Sequence, residues 1–367
     1  MFPSRAGDPS RSGEPTDTGT SPVTGGRSGD PARPDPATGP TRDPWLEDDP
    51  ADLAERLPAR HAETVEDVKL ADETSRIAAA RRAKTQPDVP VDRRLSLAVA
   101  AFAVLLTGGL ILGVYTAGLG MGRISFAIVI LGVQFLFVLA SAMAMRPPAL
   151  PAVFGVSMLV AAGADLAAVL SREASLTAVS LVAAGGFGLA VLAQLMRRTD
   201  RQRVTESLAA TLMIVIGVVA FATMIVLTRV PAGAQSLMIC LASVGAALVA
   251  ARLLDTVVSS PRMAPQVPRG VVGVIVGAMV GTLVGAVGGA FVVEPFTPAR
   301  GAILGLLCAC SAVLADLAAN YAEAGRRMAG DAPTMWIARH MQGPIGAFAL
   351  AAPVAYLANA IMVLPNV

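Results

Sequence analysis

The chain has 367 residues, of which 54% are apolar and only 15% are charged, whereas an ordinary soluble domain has roughly 25% charged residues. Its formal net charge of +2 and its 4% of aromatic residues argue against the basic, aromatic-lined surface of a nucleic-acid-binding protein. Most of the charge lies in residues 1–94, and residues 95–367 consist of long apolar runs separated by short polar loops. The composition therefore predicts an aqueous N-terminal part followed by a membrane part.

Residues 1–60 are dominated by Gly, Pro, Ser, Thr, Asp and Arg. Such a segment cannot bury enough apolar surface to offset the loss of chain entropy, so we expect a disordered tail. For residues 61–94 we predict a charged juxtamembrane helix and linker, because 61–84 lacks Gly and Pro and places acidic residues before basic ones. Two interpretations stay open: a solvated helix, or a helix that binds a cytoplasmic partner or the anionic lipid surface.

Residues 95–367 predict an all-α, polytopic membrane domain of about nine transmembrane helices, because a span needs about 20 mostly apolar residues. The predicted spans lie near 95–117, 124–145, 148–170, 175–196, 206–228, 234–257, 270–292, 301–324 and 343–364. The last span is interrupted by Gly343, Pro344 and Pro353. In the seventh span a glycine recurs at every fourth position from Gly273 to Gly289. This predicts tight helix packing, with a ligand groove as the alternative.

The arginines of the loops predict the orientation, because cytoplasmic loops are enriched in basic residues. With the N-terminus inside, the cytoplasmic segments carry most of the arginines, including the pairs at 93–94, 197–198 and 326–327. The opposite loops carry one arginine each: Arg123, Arg172, Arg229 and Arg300. We therefore expect a multi-pass protein of the cell membrane with a cytoplasmic N-terminus and an outside C-terminus.

Two acids in the cytoplasmic half of the membrane part are candidates for metal binding. Asp255 lies at the end of the sixth span, and Asp316 lies in the inner half of the eighth. Carboxylate oxygens are ligands that Mg²⁺ prefers, often together with substrate phosphates. Two other interpretations stay open. Asp255 pairs with Arg252 or extends to the interface, and Asp316 hydrogen-bonds to a neighbouring helix.

An ionisable side chain inside the bilayer is costly and is therefore a candidate for function. Asp316 and the polar side chains four and seven positions after it share one helix face, and this stripe leads to Arg326 and Arg327. A third acid, Asp165, lies near the outer end of the third span. We interpret Asp165 as interfacial and structural.

Several short motifs follow one another over roughly the last 110 residues. After Asp255 come A-P-Q-V-P-R at 264–269, A-D-L at 315–317, R-R at 326–327, G-D at 330–331, I-A-R-H at 337–340 and A-P-V at 352–354. This order resembles the phosphatidate cytidylyltransferases, also called CDP-diacylglycerol synthases. Their pattern is an Asp followed by A-P-x-V-S-P-x-K-T, G-D-L, K-R, K-D, P-G-H-G-G, D-R-x-D and a final helix with A-P.

The resemblance implies a divergent membrane cytidylyltransferase-like protein of phospholipid metabolism that transfers CMP from CTP to phosphatidate. Its partners would be a membrane lipid and CTP, and no nucleic acid. Mg²⁺ would be held by Asp255 and Asp316. The resemblance implies catalytic roles for two acids and a histidine: Asp316, Asp331 and His340, the last in a cytoplasmic loop. It implies phosphate contacts from three arginines: Arg269, Arg326 and Arg327.

The chain also departs from the family pattern. The lysine and threonine of S-P-x-K-T are missing, since Arg269 is followed by Gly270 and Val271, and no D-R-x-D occurs. If the chain is a divergent member of this family, two possibilities stay open: it is catalytically active, or it is catalytically silent. The alternative is a non-enzymatic membrane protein, either a transporter or an assembly or scaffold factor, and a homodimer is a further open possibility. Convergence of Asp255, Asp316 and the arginines in one cavity would favour the enzyme type, whereas one path past Asp165 and Asp316 would favour transport.

Overall fold

The computed structural model describes residues 91–117, 122–196, 203–292, 295–330 and 335–362, together with residues 70, 72–74, 76 and 89. The chain divides into two units, Met1–Ala80 and Arg81–Val367. In the first unit the described residues are helical, and Arg76 pairs with Asp72 at 3.1 Å. The tail predicted over 1–60 lies outside the described residues, as does most of the helix predicted over 61–84.

The described part of the second unit consists of nine helices and one β-hairpin. The helices are α1 (Arg93–Thr116), α2 (Gly122–Met145), α3 (Leu150–Leu170), α4 (Thr177–Leu195), α5 (Val204–Leu227), α6 (Gly233–Val257), α7 (Val271–Phe291), α8 (Pro298–Met328) and α9 (Trp336–Met362). The hairpin connects α6 to α7 and pairs β1 (Arg262–Ala264) antiparallel with β2 (Val267–Gly270). Each of the nine helices contains a segment long and apolar enough to cross a bilayer. The prediction of a helical, multi-pass membrane protein with nine spans is confirmed.

The helices differ in how deeply they lie in the bundle. Of the apolar segment of α5, 78% is buried, whereas α4 and α7 bury only 22% of theirs. Helix α5 is therefore central, and α4 and α7 lie at the periphery, where most of their residues are half-buried or exposed. All three are strongly apolar, so composition alone does not separate central from peripheral helices.

The buried face of α7 consists of its glycine repeat, from Gly273 to Gly289. A Cβ atom at Gly285 would lie 2.5 Å from the carbonyl oxygen of Gly301 and 2.6 Å from the Cα atom of Gly305, both in the backbone of α8. A Cβ atom at Gly277 would lie 2.7 Å from the carbonyl oxygen of Ala247 in α6. The glycines let α7 approach both helices at backbone distance, which confirms the packing interpretation of the repeat.

Helix α9 runs without a break from Trp336 to Met362, with Pro344 and Pro353 inside it. The predicted interruption of the last span is therefore wrong. Membrane helices tolerate proline because neighbouring groups can satisfy the freed backbone carbonyls. The early start of α9 also places His340 within the helix, so the prediction that His340 lies in a loop is wrong as well.

Candidate functional site

The candidate site lies where the C-terminal parts of α6 and α8 meet the N-terminal parts of α1 and α9 and the hairpin. Helix α8 has 31 residues and is about 46 Å long at the usual rise per residue. The hydrocarbon core of a bilayer is only about 30 Å thick. The last turns of α8, which carry its polar stripe, can therefore extend beyond the core to the membrane surface.

Four buried charged side chains form a continuous set of ion pairs, which we call the charge cluster: Arg252 and Asp255 of α6, Arg269 of β2 and Asp316 of α8. Arg252 donates from Nη2 to both carboxylate oxygens of Asp316, at 2.6 and 2.9 Å. Arg269 joins the two acids. Its Nη1 donates to Asp255 Oδ2 at 2.5 Å, and its Nη2 lies 2.8 Å from Asp316 Oδ2. Arg269 and Asp316 are 0% exposed, and Asp255 is 1% exposed.

Backbone groups complete the charge cluster. The amide of Gly270 donates to Asp255 Oδ1 at 2.9 Å, which holds the end of β2 against α6. From the other side, Gly343 of α9 lies so close to Asp316 that a Cβ atom there would collide with Oδ1 of the carboxylate. Gly343, which was predicted to interrupt the last span, thus provides the space for a buried acid on the neighbouring helix.

The charge cluster is balanced, with two arginines against two acids. Burying a charge costs several kcal/mol unless a partner compensates it, and each of these four charges has such a partner. The cluster therefore connects the hairpin to α6 and α8. This structural role accounts for Asp255 and Arg269, which have almost no exposed surface.

A cavity of about 330 Å³, the polar cavity, lies beside the charge cluster. Its lining includes Arg252 and Asp316 of the cluster, Arg327 of α8 and His340 of α9. The first turn of α1 closes another side with Asp92, which caps the helix by accepting from the amides of the residues two and three positions after it. Ionisable groups of α6, α8 and α9 and of the N-terminal cap of α1 thus face one space.

A second cavity, of about 380 Å³, lies between α2, α5, α8 and α9. We call it the apolar cavity because its lining is largely aliphatic, with Arg326 and Gln342 among the few polar residues. Ala319 lines both cavities. Glu323 lies in the wall of the polar cavity and binds Arg326 at 2.9 Å and Arg327 at 3.3 Å. A polar and an apolar cavity therefore adjoin along one face of α8.

The predicted site residues fall into three groups. Asp316, Arg327 and His340 face the polar cavity, and Arg326 lines the apolar one. Two others, Asp255 and Arg269, lie in the charge cluster and are absent from the cavity linings. The remaining residue, Asp331, lies outside the described part of the chain. The structure therefore places Asp255, Asp316 and the described arginines in one region of the bundle but does not bring them into one cavity, which was the arrangement expected for the enzyme type.

The arginine pairing differs from the one considered from the sequence. Asp255 binds Arg269, and Arg252 binds Asp316. Sequence reasoning considered Arg252 only as a neighbour of Asp255 because the two lie one turn apart. The sequence signal for the pairing with Asp316 was the charge of Arg252, because a charged side chain is rare so near the end of an apolar span.

The fit of Mg²⁺ to this site can be judged from the carboxylate oxygens. Each oxygen of Asp255 accepts a hydrogen bond, from Gly270 and Arg269. Both oxygens of Asp316 accept from Arg252, and one also contacts Arg269. This donor set does not fit a magnesium ion, because guanidinium groups take the positions at the acids that the ion would need. Magnesium binding stays a prediction that requires both arginines to move.

Asp165 is buried between helices, with 5% of its surface exposed. This burial places Asp165 inside the bundle without determining its depth in a bilayer, so its interfacial position stays a prediction. Its partner is Gln134 of α2, which sequence reasoning missed although it is an amide in the middle of an apolar run. The polar partner of Asp165 comes from α2, whereas the polar neighbours of Asp316 come from α6, β2 and α9.

Compared with models of known protein families, with curated proteins and with solved structures, the chain gives no match. The likeness to cytidylyltransferases therefore rests on the motifs of the sequence alone.

Proposed function

We propose that this protein binds an amphiphile with a phosphate headgroup, of the phosphatidate type, as a divergent membrane cytidylyltransferase-like protein of phospholipid metabolism. The observation that carries the proposal is the adjoining pair of cavities. The polar cavity, lined by Arg252 and Arg327, and the apolar cavity share Ala319 as a wall. A lipid phosphate suits the first cavity, and an acyl chain suits the second.

The donor capacity of the arginines favours an anion over a cation. Nε of Arg252, a residue that lines the polar cavity, is buried and has no acceptor among the described residues. The oxygens of Asp316, by contrast, already accept from guanidinium groups. The planar guanidinium group matches the geometry of phosphate oxygens. A phosphate would therefore supply an acceptor where a donor is left over.

Opposite charges lie side by side around the polar cavity. The charge cluster is neutral, and beyond it two arginines share the single carboxylate of Glu323. The lining of the polar cavity has two arginines and three acids, Asp92, Asp316 and Glu323, so a phosphate would bind through the hydrogen-bond donors of the guanidinium groups and not through an excess of positive charge. His340, in the lining of the polar cavity, can add a proton donor.

The reaction that the resemblance implies is transfer of CMP from CTP to phosphatidate. A phosphate oxygen of phosphatidate attacks the α-phosphorus of CTP, the α–β anhydride bond breaks, and pyrophosphate leaves. Arg252 and Arg327 would stabilise the charge on the phosphates, and Asp316 would hold Arg252 in position. Asp331 remains a predicted catalytic residue. The proposed setting is the cell membrane, with this end of the bundle in the cytoplasm and the C-terminus outside.

The test uses the full-length protein in lipid nanodiscs. Conversion of labelled phosphatidate is measured with CTP and Mg²⁺, and binding of phosphatidate, CTP and pyrophosphate is measured from the shift in the thermal unfolding midpoint. In Arg327→Gln we expect binding roughly 10- to 100-fold weaker, because a hydrogen bond to a charged group contributes about 1.5–3 kcal/mol. The matched control is Arg203→Gln, since Arg203 pairs with Glu206 on the exposed start of α5.

Turnover that is lost in Asp316→Asn and retained in Arg203→Gln would establish the transferase. Binding without turnover, weakened by Arg327→Gln, would identify a catalytically silent relative that keeps the ligand site. If the wild-type protein neither binds these phosphates nor turns phosphatidate over, the proposal fails. A transporter or an assembly factor would then be the better hypothesis.

A further inference from the structure

A second polar site lies inside the bundle, apart from the charge cluster. Gln134 of α2 donates from Nε2 to Asp165 Oδ1 of α3 at 2.9 Å and to the carbonyl oxygen of Val218 of α5, also at 2.9 Å. Gln134 is 0% exposed and Asp165 is 5% exposed. Three membrane-spanning helices therefore meet at one carboxyl and one amide group.

Two oxygen atoms of this pair have no hydrogen-bond donor. Asp165 Oδ2 and Gln134 Oε1 are buried, and neither has a partner among the residues that the structure describes. Arg229, in the loop after α5, donates to the carbonyl oxygen of Ala168 at 2.6 Å and to the hydroxyl of Ser171 at 2.6 Å. It therefore caps the end of α3 one turn beyond the acid. A carboxylate oxygen without a hydrogen-bond donor is costly within a membrane. One further donor hydrogen is therefore needed between Asp165 Oδ2 and Gln134 Oε1.

The helices packed against Asp165 carry no other charge near it. Helices α2, α4 and α5 contact α3. The charged residue of α2 is Arg123, in its first turn, that of α5 is Glu206, also in its first turn, and α4 has none. No ion pair joins Asp165 to any residue in the described part of the chain.

We infer that Asp165 is a proton-binding site, a neutral carboxylic acid whose Oδ2–H donates to Gln134 Oε1. A single proton converts Oδ2 from an orphaned acceptor into a donor and gives the amide oxygen its missing partner. The acid and the amide then form a reciprocal pair. The Gln134 Nε2 group donates to the carbonyl oxygen of the acid, and the hydroxyl of the acid donates to the carbonyl oxygen of the amide.

A proton fits this site better than a metal ion. Hard cations take several oxygen ligands, and the site offers two oxygens without partners. In the described residues no group of three or more His, Cys, Asp or Glu side chains is placed to hold a metal. The proton also removes the charge that the apolar surroundings disfavour, whereas a bound ion would bring in a second charge.

Infrared spectroscopy of the full-length protein in nanodiscs at neutral pH tests the inference. A protonated carboxylic acid has a carbonyl band that ionised carboxylates lack, and the band shifts in D₂O. We expect this band in the wild type and its loss in Asp165→Asn. That variant keeps the shape of the neutral acid and provides an N–H donor to Gln134, so it should fold. Identical spectra of the two proteins in this region would overturn the inference.

Labelling of the wild-type protein with a hydrophobic carbodiimide provides a second measurement that needs no variant. The reagent modifies protonated carboxyl groups in apolar surroundings. We expect mass spectrometry to find the label on Asp165 and not on the ion-paired Asp255 and Asp316, which serve as internal controls. An unlabelled Asp165 together with an absent infrared band would refute the inference. Protection of Asp165 by sodium chloride but not by choline chloride would also overturn it, in favour of a bound sodium ion.

Discussion

Replacing Arg269 with methionine removes the guanidinium group that joins the two acids of the charge cluster. Arg269 is 0% exposed and contacts Asp255 at 2.5 Å and Asp316 at 2.8 Å. In the variant Asp316 keeps Arg252, but Asp255 loses its ion-pair partner and keeps only the amide of Gly270. Removing one partner of a buried pair costs about 3–5 kcal/mol because the other charge stays buried without compensation. We expect the free energy of unfolding to fall by about this amount.

The charge argument predicts recovery when the stranded acid is neutralised. In the double variant Asp255→Asn with Arg269→Met, the remaining pair of Arg252 and Asp316 is neutral, and the new amide can still accept from Gly270. We therefore expect the double variant to be more stable than the sum of the two single changes predicts. Residues in contact show coupling of roughly 0.5–3 kcal/mol in such double-mutant cycles.

The assay is equilibrium unfolding in mixed micelles of increasing SDS fraction, followed by circular dichroism. Arg203→Met is the matched control, because Arg203 also forms a short ion pair, with Glu206 at 2.6 Å, but its side chain is 56% exposed. Solvent screens such pairs, so we expect this control to unfold with the wild type. The reasoning is refuted if Arg269→Met unfolds with the control, or if the double variant shows no coupling.

Two further predictions concern packing and orientation. Gly285→Ala should lower stability by about 1–3 kcal/mol in the same unfolding assay, because its Cβ atom would meet the backbone of α8, whereas Gly155→Ala in α3 should not, since its Cβ position is open. Equal midpoints would contradict the close approach of α7 and α8. In a cysteine-free background, Arg172→Cys should react with an impermeant maleimide in intact cells, and Arg146→Cys should react only after permeabilisation. The reverse pattern would invert the proposed orientation.

Much of the architecture could be predicted because the thickness of the bilayer sets the length of an apolar helix. The sixth span, predicted over 234–257, corresponds to α6 at Gly233–Val257. The last span was predicted to start at 343, but α9 begins at Trp336. Local preference favoured a break at Gly343 and Pro344, whereas in the folded protein the small residue packs against Asp316 and the helix continues.

The candidate site was predicted only in part. Asp316 and the arginines were found because charge is rare in apolar runs. Their pairing was not, since Arg252 and Asp316 lie 64 positions apart, whereas the pattern favoured a partner one turn away. Gln134 was missed for a related reason, because an uncharged amide gains significance only when its neighbour on another helix is known to be Asp165.

The sequence by itself determined that the chain crosses the membrane as a set of about twenty-residue apolar helices, because hydrophobic length is a local property. Only the tertiary structure decided which helix is central, which face of each helix turns inward and which polar groups meet. In helices that are apolar on nearly every face, the spacing of apolar residues does not determine how each helix is rotated about its axis. Close contacts at small residues, as between α7 and α8, and buried polar pairs then determine that rotation.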